Sequence, residues 1–306
     1  MVFYICLLLV HTAAAQEYNW NGKRLNFTLK PDGSFQVTDK KAEKTWRWDR
    51  GDGIEGKSIS KNKNGCTLRA TRGNFSFEAE FEVGPDEDFI LIRLSGDPKT
   101  KMDGLNYPGP MVSSMDSLVL PINEGLLIPP DDRMLEELKL SLSGNYPIYQ
   151  GHNGVSMPWV GLTDFKSGLM ILVDDSVDAE FEIKHTPGFS VGVKWLPIRQ
   201  TLGETRKLRL VFPKEGGYVP MAKAYRSYLE ERSEWVGLDE KVRRDARVRK
   251  LSGALNIWLW RTTGLDEAFE YVRDTVKLKE CIVSFPFHAE TSASTEEGGR
   301  LRCTVL

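Results

Sequence analysis

The chain has 306 residues, of which 41% are hydrophobic, 27% are charged and 10% are aromatic. This composition is too apolar for a disordered chain, and the length allows one or two folded domains. The 41 Lys and Arg residues nearly balance the 43 Asp and Glu residues, which gives a formal net charge of −2. Such a chain has no overall field to attract nucleic acid or an anionic membrane, so we expect no nucleic-acid partner and no stable membrane insertion.

The first fifteen residues have the pattern of a secretory signal peptide. The apolar run Val2–Val10 is followed by Ala13, Ala14 and Ala15, which form an A-x-A cleavage signal before Gln16. The run is too short to span a bilayer as a helix. It lacks the usual preceding Lys or Arg, and a buried strand is the alternative. We expect cleavage after residue 15 and a secreted or periplasmic location.

Residues 16–215 have the pattern of a β-sandwich. From Leu25–Leu29 onward, short runs of alternating polarity are separated by turn signals, with few helical patterns between them. In Phe75–Val83 the apolar residues stand at every second position, so one face of this strand is expected to be buried. Phe89–Leu94 follows after a turn and completes a hairpin. Many short strands of this kind predict a large antiparallel sandwich in a mainly β protein.

A helical linker is predicted over residues 216–250. After Gly216 and Gly217 the apolar period changes to that of a helix, with Pro220 in the first turn. The apolar stripe consists of Met221, Ala224, Tyr225, Tyr228 and Leu229. The basic run at 241–250, KVRRDARVRK, fits a solvated surface better than a nucleic-acid site because no aromatic residue is interleaved.

Residues 251–285 have the pattern of a βαβ unit with a parallel sheet. The strand-like run Leu255–Trp260 is followed by a helical pattern that begins near Thr263 and ends near Val276. Cys281–Phe285 then forms a second strand-like run, which predicts the first βαβ unit of an incomplete (β/α)₈ barrel. Residues 286–306 show no periodicity, so we expect an irregular tail produced by truncation or a shifted reading frame.

Several segments resemble one class of glycoside hydrolases. They are Tyr107–Pro110, Leu118–Pro121 with Gly125 and Ile128-Pro129, Met157–Asp164, Gly216–Tyr228 and Leu251–Trp258. The group that they resemble is that of the α-N-acetylgalactosaminidases, and the resemblance covers roughly residues 20–285. It implies a sandwich similar to the galactose-mutarotase fold, packed against a (β/α)₈ barrel, and a carbohydrate substrate of the α-galactoside or α-N-acetylgalactosaminide type.

The resemblance also implies that the catalytic carboxylates belong to later barrel strands, which this sequence does not contain. The runs Leu255–Trp260 and Cys281–Phe285 carry no Asp or Glu, whereas a retaining glycosidase needs two carboxyl groups about 5–5.5 Å apart. We therefore predict no catalytic residues and a chain that is inactive alone. The predicted sugar-contacting residues are Trp159, Trp258 and Trp260, with core packing as the alternative.

Two other functions remain open. The sandwich is either a stand-alone carbohydrate-binding module or a mutarotase-like sugar epimerase, for which His152 and His185 are the candidate acid and base. No cofactor is indicated. The Asp174, Asp175, Asp178 and Glu180 cluster follows a strand and either binds Ca²⁺ or forms a polar turn.

The cysteines and the two possible N-glycosylation sequences (sequons) lead to two further expectations. After signal cleavage Cys66, Cys281 and Cys303 remain, and this scattered set predicts neither a disulfide framework nor a zinc site. Asn26-Phe27-Thr28 and Asn74-Phe75-Ser76 fit the N-glycosylation rule, which applies if the source is eukaryotic.

Overall fold

The computed structural model describes residues 16–122, 125–132, 155–174, 179–185, 188–197, 199–251, 256–258, 267, 270–276, 280–284 and 302–304. The predicted signal segment lies outside these residues. The chain divides into two compact units, Met1–Ser227 and Tyr228–Leu306. No helix within the described ranges is long and apolar enough to cross a membrane.

The described part of the first unit contains sixteen strands. They are β1 (Tyr18–Asn21), β2 (Leu25–Leu29), β3 (Phe35–Asp39), β4 (Lys44–Trp48), β5 (Ile54–Asn62), β6 (Gly65–Arg72), β7 (Phe75–Val83), β8 (Phe89–Gly96), β9 (Met111–Ser113), β10 (Ser117–Leu120), β11 (Leu126–Ile128), β12 (Trp159–Thr163), β13 (Gly168–Val173), β14 (Ala179–His185), β15 (Phe189–Trp195) and β16 (Arg206–Val211).

These strands form two antiparallel sheets. The seven-stranded sheet has the order β1-β2-β3-β4-β9-β15-β14, and the nine-stranded sheet has the order β11-β10-β12-β13-β16-β8-β7-β6-β5. In β7 the buried positions alternate with more exposed ones, as the sequence predicted. The predicted hairpin of β7 and β8 is also present, with Phe81 paired to Ile92.

Aromatic side chains join the two sheets in one core. Phe81 of β7 stacks on Phe27 of β2, with ring centroids 5.3 Å apart, and it meets the edge of Phe35 of β3 at the same distance. Phe35 in turn stacks on Trp48 at 4.7 Å. Because Phe81 belongs to the nine-stranded sheet and the others to the seven-stranded sheet, the sheets pack face to face. The predicted β-sandwich is therefore confirmed.

The outer strand β5 of the nine-stranded sheet contains a β-bulge. The register with β6 shifts between Gly56 and Ser58, so that Lys57 has no opposite residue. A side-chain carbon on Gly56 would overlap the carbonyl oxygen of Pro31. Glycine is thus the residue that fits where the bulged strand passes the turn after β2.

Helix α1 (Tyr218–Glu231) follows the sandwich at the position predicted from sequence. The apolar stripe is confirmed, because Met221 and Tyr228 are buried and Ala224, Tyr225 and Leu229 are half-buried. The residues between them, such as Ala222 and Arg226, are exposed. This burial pattern is that of a helix packed along one face.

The basic run of the second unit lies in short helices. Helix α2 (Leu238–Arg244) has no buried residue, and a 3₁₀-helix follows over Ala246–Leu251. Glu240 accepts hydrogen bonds from Arg243 and Arg244 at 2.5–2.9 Å. Asp245 pairs with Arg247 at 2.6 Å. Much of the positive charge of this run is therefore balanced locally.

The second unit also contains a parallel sheet of three strands. These are β17 (Asn256–Trp258), β18 (Glu280–Ser284) and β19 (Arg302–Thr304), in that order. The parallel pairing of β17 with β18 is as predicted. Between them, residues 267 and 270 are α-helical and Tyr271–Val276 form a π-helix, whereas Thr263 lies outside the described residues.

Strand β19 differs from the expected irregular tail. The sequence around it, rich in Ser, Thr, Glu and Gly, contains only a short β-compatible stretch. In the structure Arg302–Thr304 pair in parallel with β18, with Cys303 opposite Cys281. These three residues have a regular pairing because the edge of β18 supplies backbone partners that periodicity alone does not reveal, and the extent of the tail stays a prediction.

Candidate carbohydrate-binding site

Helix α1 and the residue before it contact strand β12 at three successive points. At its start, the buried hydroxyl of Thr163 accepts a hydrogen bond from the backbone N–H of Gly217 at 2.8 Å. In the middle, Met221 is fully buried, and it occupies the space that a side chain on Gly161 would fill. Farther along, the ring of Tyr225 is tilted against that of Trp159, with centroids 6.4 Å apart.

Glycines make the start of this helix possible. Gly217 has a φ of 98°, a conformation that other residues adopt only with strain. A side-chain carbon on Gly216 would overlap the backbone of Phe165. The change of period at Gly216 and Gly217, visible in the sequence, thus marks a close approach between the chain entering α1 and the turn after β12.

A cavity of about 470 Å³ lies beside α1 and β12. This volume falls within the roughly 300–1,000 Å³ of small-molecule sites. The lining is almost entirely apolar and comprises Val119, Leu120, Pro121, Gly125, Leu126, Leu127, Met157, Trp159, Tyr218 and Ala222. Leu126, Leu127 and Tyr218 are 47%, 41% and 54% exposed, so the cavity has an accessible apolar rim with one aromatic ring.

Trp159 supplies the inner wall of this cavity. Its side chain is only 3% exposed, so it cannot serve as an open stacking platform. Its buried Nε1–H has no hydrogen-bond partner within the described part of the chain. A buried donor without a partner is costly. The expectation that Trp159 contacts sugar stays a prediction.

A cluster of charged side chains lies at the end of the sandwich where α1 begins. The ammonium group of Lys44, on β4, pairs with Asp116 and with Asp164, whose Oδ2 is 3.0 Å away. Asp116 is fully buried and also accepts a hydrogen bond of 2.6 Å from the hydroxyl of Ser113. Because Lys44 belongs to one sheet and both carboxylates adjoin strands of the other, the cluster ties the two sheets together.

Asp164 is strongly stabilised in its charged form. Burial by itself would raise its pKa, but hydrogen bonds from the backbone N–H and hydroxyl of Ser167 and from Lys44 outweigh this effect and lower the pKa to about 2. Asp164 directly follows Thr163, which holds α1. The turn that holds the start of α1 is therefore tied to the seven-stranded sheet by the ion pair between Asp164 and Lys44.

The other predicted sugar-contacting residues are in the second unit. Trp258 lies in β17, opposite Ser284 of β18 in the parallel register. Trp260 lies outside the described residues. The roles of Trp258 and Trp260, and their grouping with Trp159 in one site, therefore remain predictions.

The structure describes one of the two candidate acid–base histidines. His185 ends β14, where its Nε2 lies 3.0 Å from the carbonyl oxygen of Pro130 and its ring lies 5.0 Å from that of Phe189. These contacts engage the side chain within the sandwich. His152 lies outside the described residues, so the pairing of the two remains a prediction.

The candidate calcium cluster is described only in part. Asp174 forms an ion pair with Lys207 at 3.5 Å, and Glu180 is half-buried in β14. Asp175 and Asp178 lie outside the described residues. Within the described ranges, no group of three metal-ligating side chains comes together.

Sequence reasoning missed Tyr218, Met157, Leu126 and Leu127 as cavity residues. A signal was present, because many of the segments that carry the glycoside hydrolase resemblance meet at this cavity. Leu120, Pro121, Gly125, Met157, Trp159 and Tyr218 all come from those segments. These residues are far apart in the sequence, so their meeting at one cavity could not be recognised from the sequence alone.

Comparison with known proteins supports the fold of a glycoside hydrolase. No protein-family model matches the chain, and no curated protein sequence matches it either. Among solved structures, it is similar to the ligand-free α-N-acetylgalactosaminidase NagBb from Bifidobacterium bifidum, with a TM-score of 0.68 and 14% identity. The GalNAc complex of that enzyme gives a TM-score of 0.67 and 13% identity.

Each of these matches covers 88% of this chain but 51% of the other, so the chain spans about half the length of the enzyme it matches. An α-mannosidase from Enterococcus faecalis V583 gives a TM-score of 0.42, which is too low to support an argument. The resemblance to the α-N-acetylgalactosaminidase group, expected from the sequence, is confirmed at the level of the fold.

Proposed function

We propose that this chain is the sandwich and first barrel strands of a carbohydrate-active glycoside hydrolase, of the α-galactoside or α-N-acetylgalactosaminide type. The observation that carries the proposal is its structural similarity, over 88% of its length, to an α-N-acetylgalactosaminidase solved with GalNAc. In this proposal, residues 16–215 form the sandwich, 216–250 the helical linker, 251–285 the start of the barrel and 286–306 the tail. Export by the signal peptide at residues 1–15 is part of the same proposal.

The cavity beside α1 is the proposed sugar contact within the sandwich. Tyr218 offers an exposed ring on which the C–H groups of a pyranose can stack. The apolar rim formed by Leu126 and Leu127 limits access of water to such a contact. The contribution of this cavity is therefore binding, and the acid–base chemistry belongs to carboxylates outside the described strands.

We expect the purified chain to hydrolyse no glycoside by itself. Two-carboxylate catalysis requires an acid and a nucleophile held on rigid elements facing one sugar. The strand-like runs 255–260 and 281–285 supply neither, and the carboxylates that follow the second run are Glu290, Glu296 and Glu297. The measurement is turnover of aryl α-galactosides and aryl α-N-acetylgalactosaminides.

The control variant changes Glu290, Glu296 and Glu297 to Gln together. Turnover that survives this change would place the chemistry outside residues 286–306 and would overturn the proposal. Absence of turnover, both in the purified chain and in this variant, is the expected result.

Changing Tyr218 to Ala should weaken the binding of GalNAc or galactose by about tenfold, which corresponds to about 1.4 kcal/mol. The reason is loss of the exposed ring at the mouth of the cavity, while the buried side of α1, including Met221, stays intact. Titration followed by saturation-transfer NMR or calorimetry measures the effect.

Tyr271→Ala is the matched control, because Tyr271 is similarly exposed, at 60%, but belongs to the second unit. Equal losses in both variants, or no loss at Tyr218, would remove the cavity from the proposed function.

A further inference from the structure

The hairpin between β6 and β7 places one of the two sequons at an open tip. Arg72 pairs with Phe75, which leaves Gly73 and Asn74 as a two-residue turn. Gly73 has a φ of 59°, as the first central residue of a type II′ hairpin turn requires. Asn74 is exposed, and a side-chain carbon on Gly73 would meet no described atom within 4 Å.

The sequon itself is presented to solvent by the strand that follows. Phe75, its middle residue, is 3% exposed and stacks against Phe77 with ring centroids 6.2 Å apart. Because successive strand residues face opposite sides, the buried Phe75 directs Ser76 to the outer face, where it is exposed. Ser76 borders an open groove of about 470 Å³, which leaves room for a bulky group beside the tip.

The other sequon has the opposite environment. Asn26 lies within β2, paired with Asn21 on one side and Thr38 on the other. Its Oδ1 is buried and has no hydrogen-bond partner among the described residues. The hydroxyl of Thr28, which completes this sequon, donates to the side chain of Asn19 at 2.8 Å. Asn26 and Thr28 are half-buried within a paired strand, so this sequon is less accessible than the one at the hairpin tip.

We propose that Asn74 is an N-glycosylation site when the chain passes through a eukaryotic secretory pathway, and that Asn26 carries no glycan in the folded protein. In the reaction, Nδ2 of Asn74 forms a bond to the anomeric carbon of a lipid-linked oligosaccharide. The bond from that carbon to the lipid diphosphate breaks, the diphosphate leaves with its electron pair, and the amide loses one proton. No oxidation or reduction takes place.

The test expresses the chain behind a functional host signal peptide in yeast or insect cells and measures the intact mass of the secreted protein. We expect a single glycan-sized increment that peptide N-glycosidase removes, converting Asn74 to Asp. Asn74→Gln and Ser76→Ala should each abolish the increment. Ser76→Thr should retain it, since Thr also fits the sequon.

Asn26→Gln is the matched control and should leave the increment unchanged. Secreted wild-type protein without an increment would overturn the proposal. An increment that survives Asn74→Gln, or a second increment that disappears in Asn26→Gln, would overturn it as well.

Discussion

Changing Lys44 to Met should lower the free energy of unfolding by about 3–5 kcal/mol, the usual cost of removing one partner of a buried ion pair. The carboxylate of Asp116 is fully buried, and Lys44 supplies its opposite charge. The hydroxyl of Ser113 would then be the remaining described side-chain contact of that carboxylate. Urea unfolding followed by tryptophan fluorescence measures the loss.

Two further variants test whether the loss of stability is specific to the buried ion pair. Lys57→Met removes a lysine whose pair with Glu55 is exposed, so the unfolding midpoint should hardly change. The double variant Lys44→Met with Asp116→Asn should recover part of the loss, because it removes the buried charge. A loss that is equal for Lys44 and Lys57 would contradict the assigned role of the cluster.

The destabilisation caused by Lys44→Met should depend on pH, because Lys44 also pairs with Asp164. Its pKa of about 2 lies below the ordinary value of 3.8, so its stabilising contribution is complete above about pH 4 and is lost as the pH falls towards 2. The stability difference between wild-type protein and Lys44→Met should therefore narrow over this interval. A difference that stays constant from pH 4 to pH 2 would show that Asp164 is not coupled to Lys44.

Changing Phe81 to Ala should lower the free energy of unfolding by about 3–5 kcal/mol. Phe81 is fully buried and contacts the rings of Phe27, Phe35 and Tyr107, so its removal leaves a cavity that aromatic neighbours fill poorly. These contacts join the two sheets, and the loss should therefore lower the thermal midpoint of the whole sandwich in calorimetry.

Phe165→Ala is the matched control for this change. Phe165 is 58% exposed, so the same chemical deletion should shift stability by no more than about 0.5 kcal/mol. Two separate thermal transitions in Phe81→Ala, one for each sheet, would contradict a single core shared by the sheets.

The sandwich could be predicted because burial on one face leaves a two-residue period in the sequence. Phe75–Val83 shows this most clearly, and its hairpin with β8 followed directly. Strands buried on both faces are harder to recognise. In β12 and β13 every residue is buried, and so the alternation disappears. Strand order is likewise set by long-range pairing, such as that of β13 with β16, and the local sequence pattern does not reveal which strands pair.

The cavity was less predictable than the fold. Trp159 could be selected because of its residue type, but type alone could not show that its ring is buried while Tyr218 is exposed. That difference arises from how α1 lies along β12, which depends on the space left by Gly161 for Met221. The ion pair of Lys44 with Asp116 joins positions 72 residues apart, a distance at which charge patterning gives no guidance.

The bulge in β5 has a consequence for solubility. A regular outer strand offers unpaired backbone groups to which a second molecule can add by extending the sheet. In β5 the displaced Lys57 interrupts this row, and its charge must be desolvated before another strand can approach. Gly56 keeps the interruption in place, because no larger residue fits against Pro31. The sandwich thus carries its own protection against polymerising through this edge.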